Sequence, residues 1–287
     1  MWRAIHDAGI SACFRRAGAD HLSMATRTQD AQRTPTVSAG AGLWGGRLLT
    51  FPALPSTNRW ALDHAPACGD GDVIRAVRQT AGRGRLDRTW IAPGARSLTV
   101  SVVLRHSDRV SPAANLAQVA ALAAAGTLQG YGIDVRLKWP NDVMVRGRKI
   151  AGILAEGTPD AGPVIVGIGI NINVSREDLC QAALDGTATS MAIERGRLCR
   201  TEHVLRAFLR ELEKELDATA ERGLPYLLEA WAHKDALAGQ HIEVRTADGT
   251  QRGRYAGLAD DGRLRLIDAT GREHLFWTGD VSRVRRI

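Results

Sequence analysis

The chain is poor in lysine, in cysteine and in long apolar runs, and each shortage excludes something. Of its 38 basic residues only Lys138, Lys149, Lys214 and Lys234 are lysines. A sequence that so prefers arginine, yet puts two of its four lysines in "KWPNDVMVRGRK", keeps lysine where a compact ammonium serves better than a planar fork. Cys13, Cys68, Cys180 and Cys199 lie far apart with no C-x-x-C pair, which argues against a disulfide framework or a zinc site and for reduced thiols in a cytoplasmic protein. No apolar run reaches the roughly 18 residues of a membrane span. The first residues lack the apolar core of a secretory signal, and Asp7 and Asp20 interrupt them. The eight histidines show no metal-ligand spacing. There is no G-x-S-x-G elbow and no G-x-x-x-x-G-K-[ST] phosphate loop. "GIGININ" fails as a dinucleotide fingerprint, because Ile172 takes the third glycine position and no helix is expected after it.

What the chain does have is positive charge in one place. Its formal net charge is +7, and residues 75–109 hold eight arginines against Asp87 and Asp108. The C-terminal stretch 240–287 holds nine arginines against seven acids. A local field of this kind points to a bound anion more than to a coat for nucleic acid.

The pattern divides the chain in three. Residues 1–45, rich in Ser, Thr, Gly and Gln, carry no sustained apolar period and read as a poorly structured extension. Residues 46–236 carry the elements of a larger domain. "STNRWALDH" is a helix start with Ser56 or Thr57 as cap, and "DVIRAVRQ" and "SLTVSVVLR" are strands. Ser111 and Pro112 open an alanine-rich helix, "VRLKW" is a strand, and "KIAGILAEG" and "PVIVGIGININ" form a hairpin of buried strands. An amphipathic helix begins near Thr201 and stops at Gly223, and a short one holds Leu227 to Trp231. Residues 237–287 alternate short strands with A-D-G, D-D-G and A-T-G turns, the texture of a small antiparallel barrel.

Three stretches carry chemistry. In "QTAGRGRLDRTW", guanidinium groups offer paired donors to phosphate or carboxylate, and the glycines let backbone N–H groups approach an anion. A solvated hairpin is the plainer alternative. "KWPND" supplies a lysine that neutralises phosphate, an asparagine suited to an adenine edge, and an aspartate suited to Mg²⁺, although P-N-D is also simply a good turn. "RKIAGILAEG" sets Lys149 at a strand start with Gly152 leaving room for a ligand.

Taken in order, Ser-Thr-Asn, Gln-x-x-Gly-Arg-Gly-Arg, Lys-Trp-Pro-Asn-Asp, Arg-Lys-x-Ala-Gly-Ile-Leu and Gly-x-Gly-Ile-Asn resemble the biotin protein ligases, over residues 56–173. The C-terminal barrel matches that family's small SH3-like domain. The resemblance implies an α+β fold: a mixed, mostly antiparallel sheet with helices on one face, then the barrel. It implies that Ser56, Thr57, Asn58 and Gln79 contact biotin, with Gly152 and Gly169 giving close backbone approach. Arg83, Gly84 and Arg85 would close over biotin and the adenylate, and Lys149 would hold the biotin carboxylate. Arg88 and Trp90 would cover the nucleotide, with Lys138 and Asn141 facing phosphates, Asn171 reaching adenine and Asp142 facing Mg²⁺. Arg85, Lys138 and Lys149 are the expected catalytic groups. The implied reaction uses ATP and biotin as substrates, with Mg²⁺, to form biotinyl-5′-AMP and load a lysine of a biotin carboxyl carrier protein.

Two departures stand out. Asp87 replaces the glycine the family often has before the last arginine of the loop, which is expected to shift the loop equilibrium without loss of activity. The region before Leu48 is too short and polar for a helix-turn-helix of about three helices, so no specific DNA binding is expected. An exposed sheet edge is available to a second copy in a homodimer or to the carrier domain. The competing readings are a lipoate ligase and a basic nucleic-acid-binding protein. Against the second, only Tyr255, Phe276 and Trp277 interleave the basic residues of the barrel.

Overall fold

The computed structural model describes residues 34–86, 88–93, 95–105, 115–158 and 162–283. They fall into two compact units, divided after Ala238.

The larger unit is built on an eight-stranded sheet of order β1-β2-β3-β4-β8-β7-β6-β5. In chain order the strands are β1 (Thr36–Ser38), β2 (Leu48–Leu54), β3 (Val73–Gln79), β4 (Ser97–Leu104), β5 (Arg136–Lys138), β6 (Asp142–Val145), β7 (Arg148–Gly157) and β8 (Val164–Asn171). Among the described strands only β2 and β3 pair in parallel, because a helix, α1 (Thr57–Asp63), forms the crossover between them. Every residue of the central strands β4 and β8 is buried. Their near-continuous Val and Ile content is what a strand covered on both faces requires.

The two coverings differ. On one side lies α2 (Leu116–Gly130), which packs on the sheet and is in turn covered by α5 (Thr201–Arg222) and α6 (Leu224–Ala232). Being enclosed by sheet and helices, α2 is buried almost all round, hence its run of alanines. The apolar stripe of α5 (Val204, Leu205, Phe208, Leu209, Leu212, Leu216) is buried as its spacing foretold, and the helix ends at Gly223 with φ of 74°. On the other side lies the short α1, whose Ala61 joins Phe51, Leu54, Ile74, Val103 and Ile165 in one apolar cluster. The helices therefore do not all share a face: α1 lies opposite the long ones, where its first residues meet the polar positions of β4. Ser56 caps α1, accepting from the Arg59 N–H at 3.4 Å. Ser111 and Pro112, the expected start of α2, lie outside the described residues.

Three features were not foreseen. The expectation of loosely packed chain up to residue 45 fails for its last part. β1 pairs with β2 in the register Thr36↔Thr50 and Ser38↔Leu48, and Leu43 is buried with its N–H bonded to the Gly71 carbonyl at 2.8 Å. All three β1 residues are exposed, so no apolar alternation marks the strand, and its partner alone creates it. Two short helices, α3 (Arg176–Gln181) and α4 (Met191–Arg195), are held by Ser175 and Ser190 as N-caps, with a full capping box at Ser175 and Asp178.

The smaller unit is a five-stranded antiparallel sheet of order β12-β11-β10-β9-β13, from His241–Thr246, Gly249–Leu258, Leu264–Ile267, Glu273–Phe276 and Asp280–Arg283 as β9 to β13. Ile242, Val244, Tyr255, Leu264, Leu266 and Val281 form its interior. The three expected turns hold Gly249, Gly262 and Gly271 at φ of 136°, 89° and 85°, a region other residues rarely enter. Among the described residues no helix is long and apolar enough to cross a membrane.

Candidate active site

The α1 face of the sheet carries a polar floor. The Thr57 N–H donates to Gln79 Oε1 at 2.7 Å, and Thr57 Oγ1 lies 3.1 Å from the same oxygen. Ser101, fully buried on β4, donates to Asn58 Oδ1 at 2.5 Å and lies 2.7 Å from Thr57 Oγ1. Asn58 Nδ2 donates to the Leu154 carbonyl at 3.0 Å and to Glu156 Oε2 at 2.8 Å. Both partners of that nitrogen are pure acceptors, so the amide orientation is fixed by chemistry. Gly167 of β8 makes the close packing possible: a Cβ there would lie 2.1 Å from Asn58 Oδ1.

Above the floor stands the arginine loop, folded back on itself as a narrow hairpin. The Gly84 N–H bonds the Arg88 carbonyl at 2.7 Å and the Trp90 N–H bonds the Gly82 carbonyl at 3.0 Å, with Arg83 bridging to Thr89. Gly82 is required by contact, since a Cβ there would meet the Trp90 carbonyl oxygen at 2.4 Å. Leu86 at the tip has φ of 53°. Asp87 lies outside the described residues. The Arg83 guanidinium grips Glu156, with Nη2 at 2.9 Å from Oε1 and Nη1 at 3.4 Å from Oε2. Arg85 Nη1 donates to Asn141 Oδ1 at 3.4 Å, and Asn141 Nδ2 is bonded to the Ile153 carbonyl. Of Arg88 the backbone contacts to Gly84 and Arg85 are the ones that shape the hairpin.

The third part is cationic and aromatic. Lys149 Nζ lies 2.5 Å from Asp142 Oδ1 and 5.5 Å from the centre of the Trp90 ring. The indole lies over bare backbone: a Cβ on Gly169 would come within 2.4 Å of Trp90 Cε2, and one on Gly152 within 2.7 Å of Lys149 Cε. The room expected for a ligand beside Gly152, and the close approach expected at Gly169, are taken up in this structure by the Lys149 side chain and the Trp90 ring. Trp90 Nε1 is buried and has no hydrogen-bond partner among the described residues. Asn171, at the end of β8, donates to the Thr189 carbonyl at 3.0 Å and accepts from Ser97 Oγ at 3.3 Å. Lys138 ends β5 and stands opposite Asp142 in the β5–β6 register, across the Trp139–Pro140 turn, whose peptide bond is cis.

The structure thus brings together Thr57, Asn58, Gln79 and Arg83 in one network, and Lys149, Asp142, Gly152, Trp90 and Gly169 in another, with Arg85 and Asn141 as a separate contact. Ser56 stands apart from both networks as a helix cap. Asp142 is paired with a lysine, and no group of three or more His, Cys, Asp or Glu side chains able to hold a metal exists among the described residues. Sequence reasoning missed Ser101, Glu156 and the segment 187–189. Each has a weak local signature: a serine in an apolar strand, an acid after "AGILA", and a Thr-rich loop. The last joins the site through backbone bonds, Lys149 N–H to the Thr187 carbonyl at 2.8 Å and Thr189 N–H to the Lys149 carbonyl at 2.9 Å.

Comparison with known proteins shows what the chain is similar to. Residues 50–173 match the model of the biotin/lipoate A/B protein ligase family, and residues 238–284 match the biotin protein ligase C-terminal domain. A biotin–[acetyl-CoA-carboxylase] ligase of Paracoccus denitrificans is 34% identical over 229 residues, covering 76% of this chain and 93% of the relative. The bifunctional ligase/repressor BirA of Escherichia coli is 30% identical over 245 residues, covering 83% and 74%. Among solved structures, the biotin protein ligase of Aquifex aeolicus in complex with biotin and ATP superposes with a TM-score of 0.72 at 26% identity, covering 83% of this chain and 99% of that one. Both domain matches and the relatives matched over most of their length lead to one conclusion: the chain belongs to the biotin protein ligase family.

Proposed function

We propose that the site binds biotin and ATP, forms biotinyl-5′-adenylate, and transfers biotin to a lysine of a biotin carboxyl carrier protein domain of acetyl-CoA carboxylase. The observation that carries this reading is the placement, on one sheet face, of a polar floor, an arginine hairpin and a lysine beside glycines that admit no side chain. Thr57, Asn58 and Gln79 read the polar ureido ring. Lys149 neutralises the biotin carboxylate, whose oxygen attacks the α-phosphorus of ATP as pyrophosphate leaves. Arg85, Arg88 and Lys138 stabilise the charge on the phosphoryl oxygens, a matter of positioning and electrostatics. Trp90 and Asn171 face the adenosine side, and the buried indole N–H supplies a donor for that ligand. Asp142 offers Mg²⁺ one carboxylate, so the ion would be held largely by the nucleotide's phosphates. In the second half-reaction the neutral carrier amine attacks the acyl carbon, AMP leaves, and the amine loses its proton. The hairpin shields the adenylate from water during the wait.

The test is ATP–pyrophosphate exchange with purified protein, Mg²⁺ and either biotin or lipoate. Exchange that requires biotin is the expected result. Exchange with lipoate alone, or with neither acid, overturns the proposal.

A further inference from the structure

The carboxylate of Glu156 joins two parts of the site that no motif connects. Glu156 lies on β7, two pleats beyond Gly152 on the same face, since alternate residues of a strand share a side. Its side chain is 20% exposed and holds three contacts at once: two from the Arg83 guanidinium and one from Asn58 Nδ2. Arg83 belongs to the hairpin, and Asn58 to the floor. Across the floor, the same Asn58 accepts from Ser101, which reaches Thr57, which in turn reaches Gln79. One acid therefore ends a chain of contacts running from the hairpin through every polar residue of the floor.

We propose that Glu156 is a positioning residue of the ligase: it anchors the arginine hairpin through Arg83 and, with the same carboxylate, orients Asn58 so that the biotin side of the site is ordered before biotin arrives. The inference rests on the ligase reading above. Its logic is that of an acceptor-only group. A carboxylate presents no donor, so Asn58 must turn its amide nitrogen to β7 and its oxygen to Ser101. The negative charge makes both bonds charge-assisted, and the paired fork fixes the plane of the Arg83 guanidinium and with it the base of the hairpin. A glutamine here keeps the shape but loses the charge, and its N–H₂ group must oppose Arg83 in one amide orientation, and both Arg83 and Asn58 in the other. It follows that the Arg83 side chain is engaged in holding the loop.

The experiment compares wild type, Glu156→Gln, Arg83→Met and the double variant in biotin-dependent pyrophosphate exchange, with the half-life of enzyme-bound adenylate and the thermal midpoint read in parallel. Loss of the charge-assisted contacts is expected to raise the KM for biotin about tenfold in Glu156→Gln and to shorten the adenylate half-life, with the KM for ATP moving less than about twofold. Because the two side chains act as one unit, the double variant should be no worse than the more severe single one. An unchanged KM for biotin and adenylate half-life in Glu156→Gln overturns the proposal. So do additive losses in the double variant, or equal rises in both KM values with a collapsed thermal midpoint, which mark a plain folding defect. A wild-type protein that shows no exchange with biotin is a different result, visible before any variant is made, and it removes the ligase reading itself.

Discussion

A single methyl group decides whether the floor of the site can exist. At Gly167 a Cβ would sit 2.1 Å from Asn58 Oδ1, so Gly167→Ala must push the amide away from Ser101, Leu154 and Glu156. With each lost hydrogen bond worth about 0.5–1.5 kcal/mol, the KM for biotin should rise on the order of tenfold or more. Gly130→Ala is the control: nothing lies within 4 Å of that Cβ, so kinetics should stay at the wild-type level. Lys149 gives a second residue-scale prediction. Gly152 leaves just enough room for the lysine stem under Trp90, so Lys149→Arg, with its broader planar head, should fail along with Lys149→Ala. Both should lose about 10²–10³ in kcat of pyrophosphate exchange, the scale of removing one charge-stabilising group, and a Lys149→Arg enzyme at full rate would refute this assignment. Residues of this kind were legible in the sequence where a motif carried them, as with Thr57, Gln79, Arg83 and Lys149. Glu156 and Ser101 were not, because their partners are 73 or more and 43 or more positions away and no local spacing encodes such a contact.

The parallel pair β2–β3 depends on one aspartate between its strand starts. Asp72 is buried, accepts from the Arg47 N–H at 2.8 Å and the Gly69 N–H at 2.7 Å, and pairs with the Arg47 guanidinium. Burial alone would push its pKa up, toward the neutral form. The hydrogen bonds from the Arg47 side chain and from the backbone of Arg47 and Gly69 outweigh that and hold the carboxyl below its ordinary value. The sign follows from the depressed folded value. Asp72 contributes stability above the ordinary carboxyl range near pH 3.9, and that contribution disappears as pH falls through the lower folded value. Arg47 is 45% exposed, so its share is discounted for solvent screening, and Asp72→Ala should cost about 1–3 kcal/mol. Denaturant melts of wild type and variant should differ by this amount from pH 5 to 7 and converge as the pH is taken well below 4. A gap that stays constant down to pH 2 would contradict the assignment. This element-scale device also shows why some of the fold was readable and some was not. β4, β8 and α5 announce themselves by runs of Val and Ile or by an apolar stripe, since burial dictates their composition. β1 is exposed at all three residues and exists only through its register with β2, which no local pattern can encode.

At the scale of the molecule, the arginine excess means less than its count. Of the eight arginines in residues 75–109, Arg75, Arg83 and Arg96 are paired with Glu202, Glu156 and Asp178, and Arg105 is bonded to the Cys68 and Ala65 carbonyls. Three of the eight charges are therefore matched by acids of the fold, and the field over the site is more local than the +7 total implies. This separates the ligase from a nucleic-acid coat in one measurement. A ligand that binds only the folded state raises its stability by an amount set by concentration over Kd, about 2.7 kcal/mol at a hundredfold excess. For a domain of roughly 150–250 residues each kcal/mol moves the midpoint by about 2–4 °C, so the transition should rise by about 5–10 °C when biotin, ATP and Mg²⁺ are added together. Biotin alone should give less, because on the proposed reading the adenylate engages the floor, the hairpin and the adenosine side at once. Lipoate with ATP should give no comparable shift if the polar floor reads a ureido ring. Duplex DNA should give none that survives physiological salt, since binding that rests on counterion release weakens steeply as salt rises. A lipoate shift equal to that of biotin would move the assignment to the other branch of the biotin/lipoate family, and a salt-resistant shift with DNA would show that the paired arginines have partners beyond the fold.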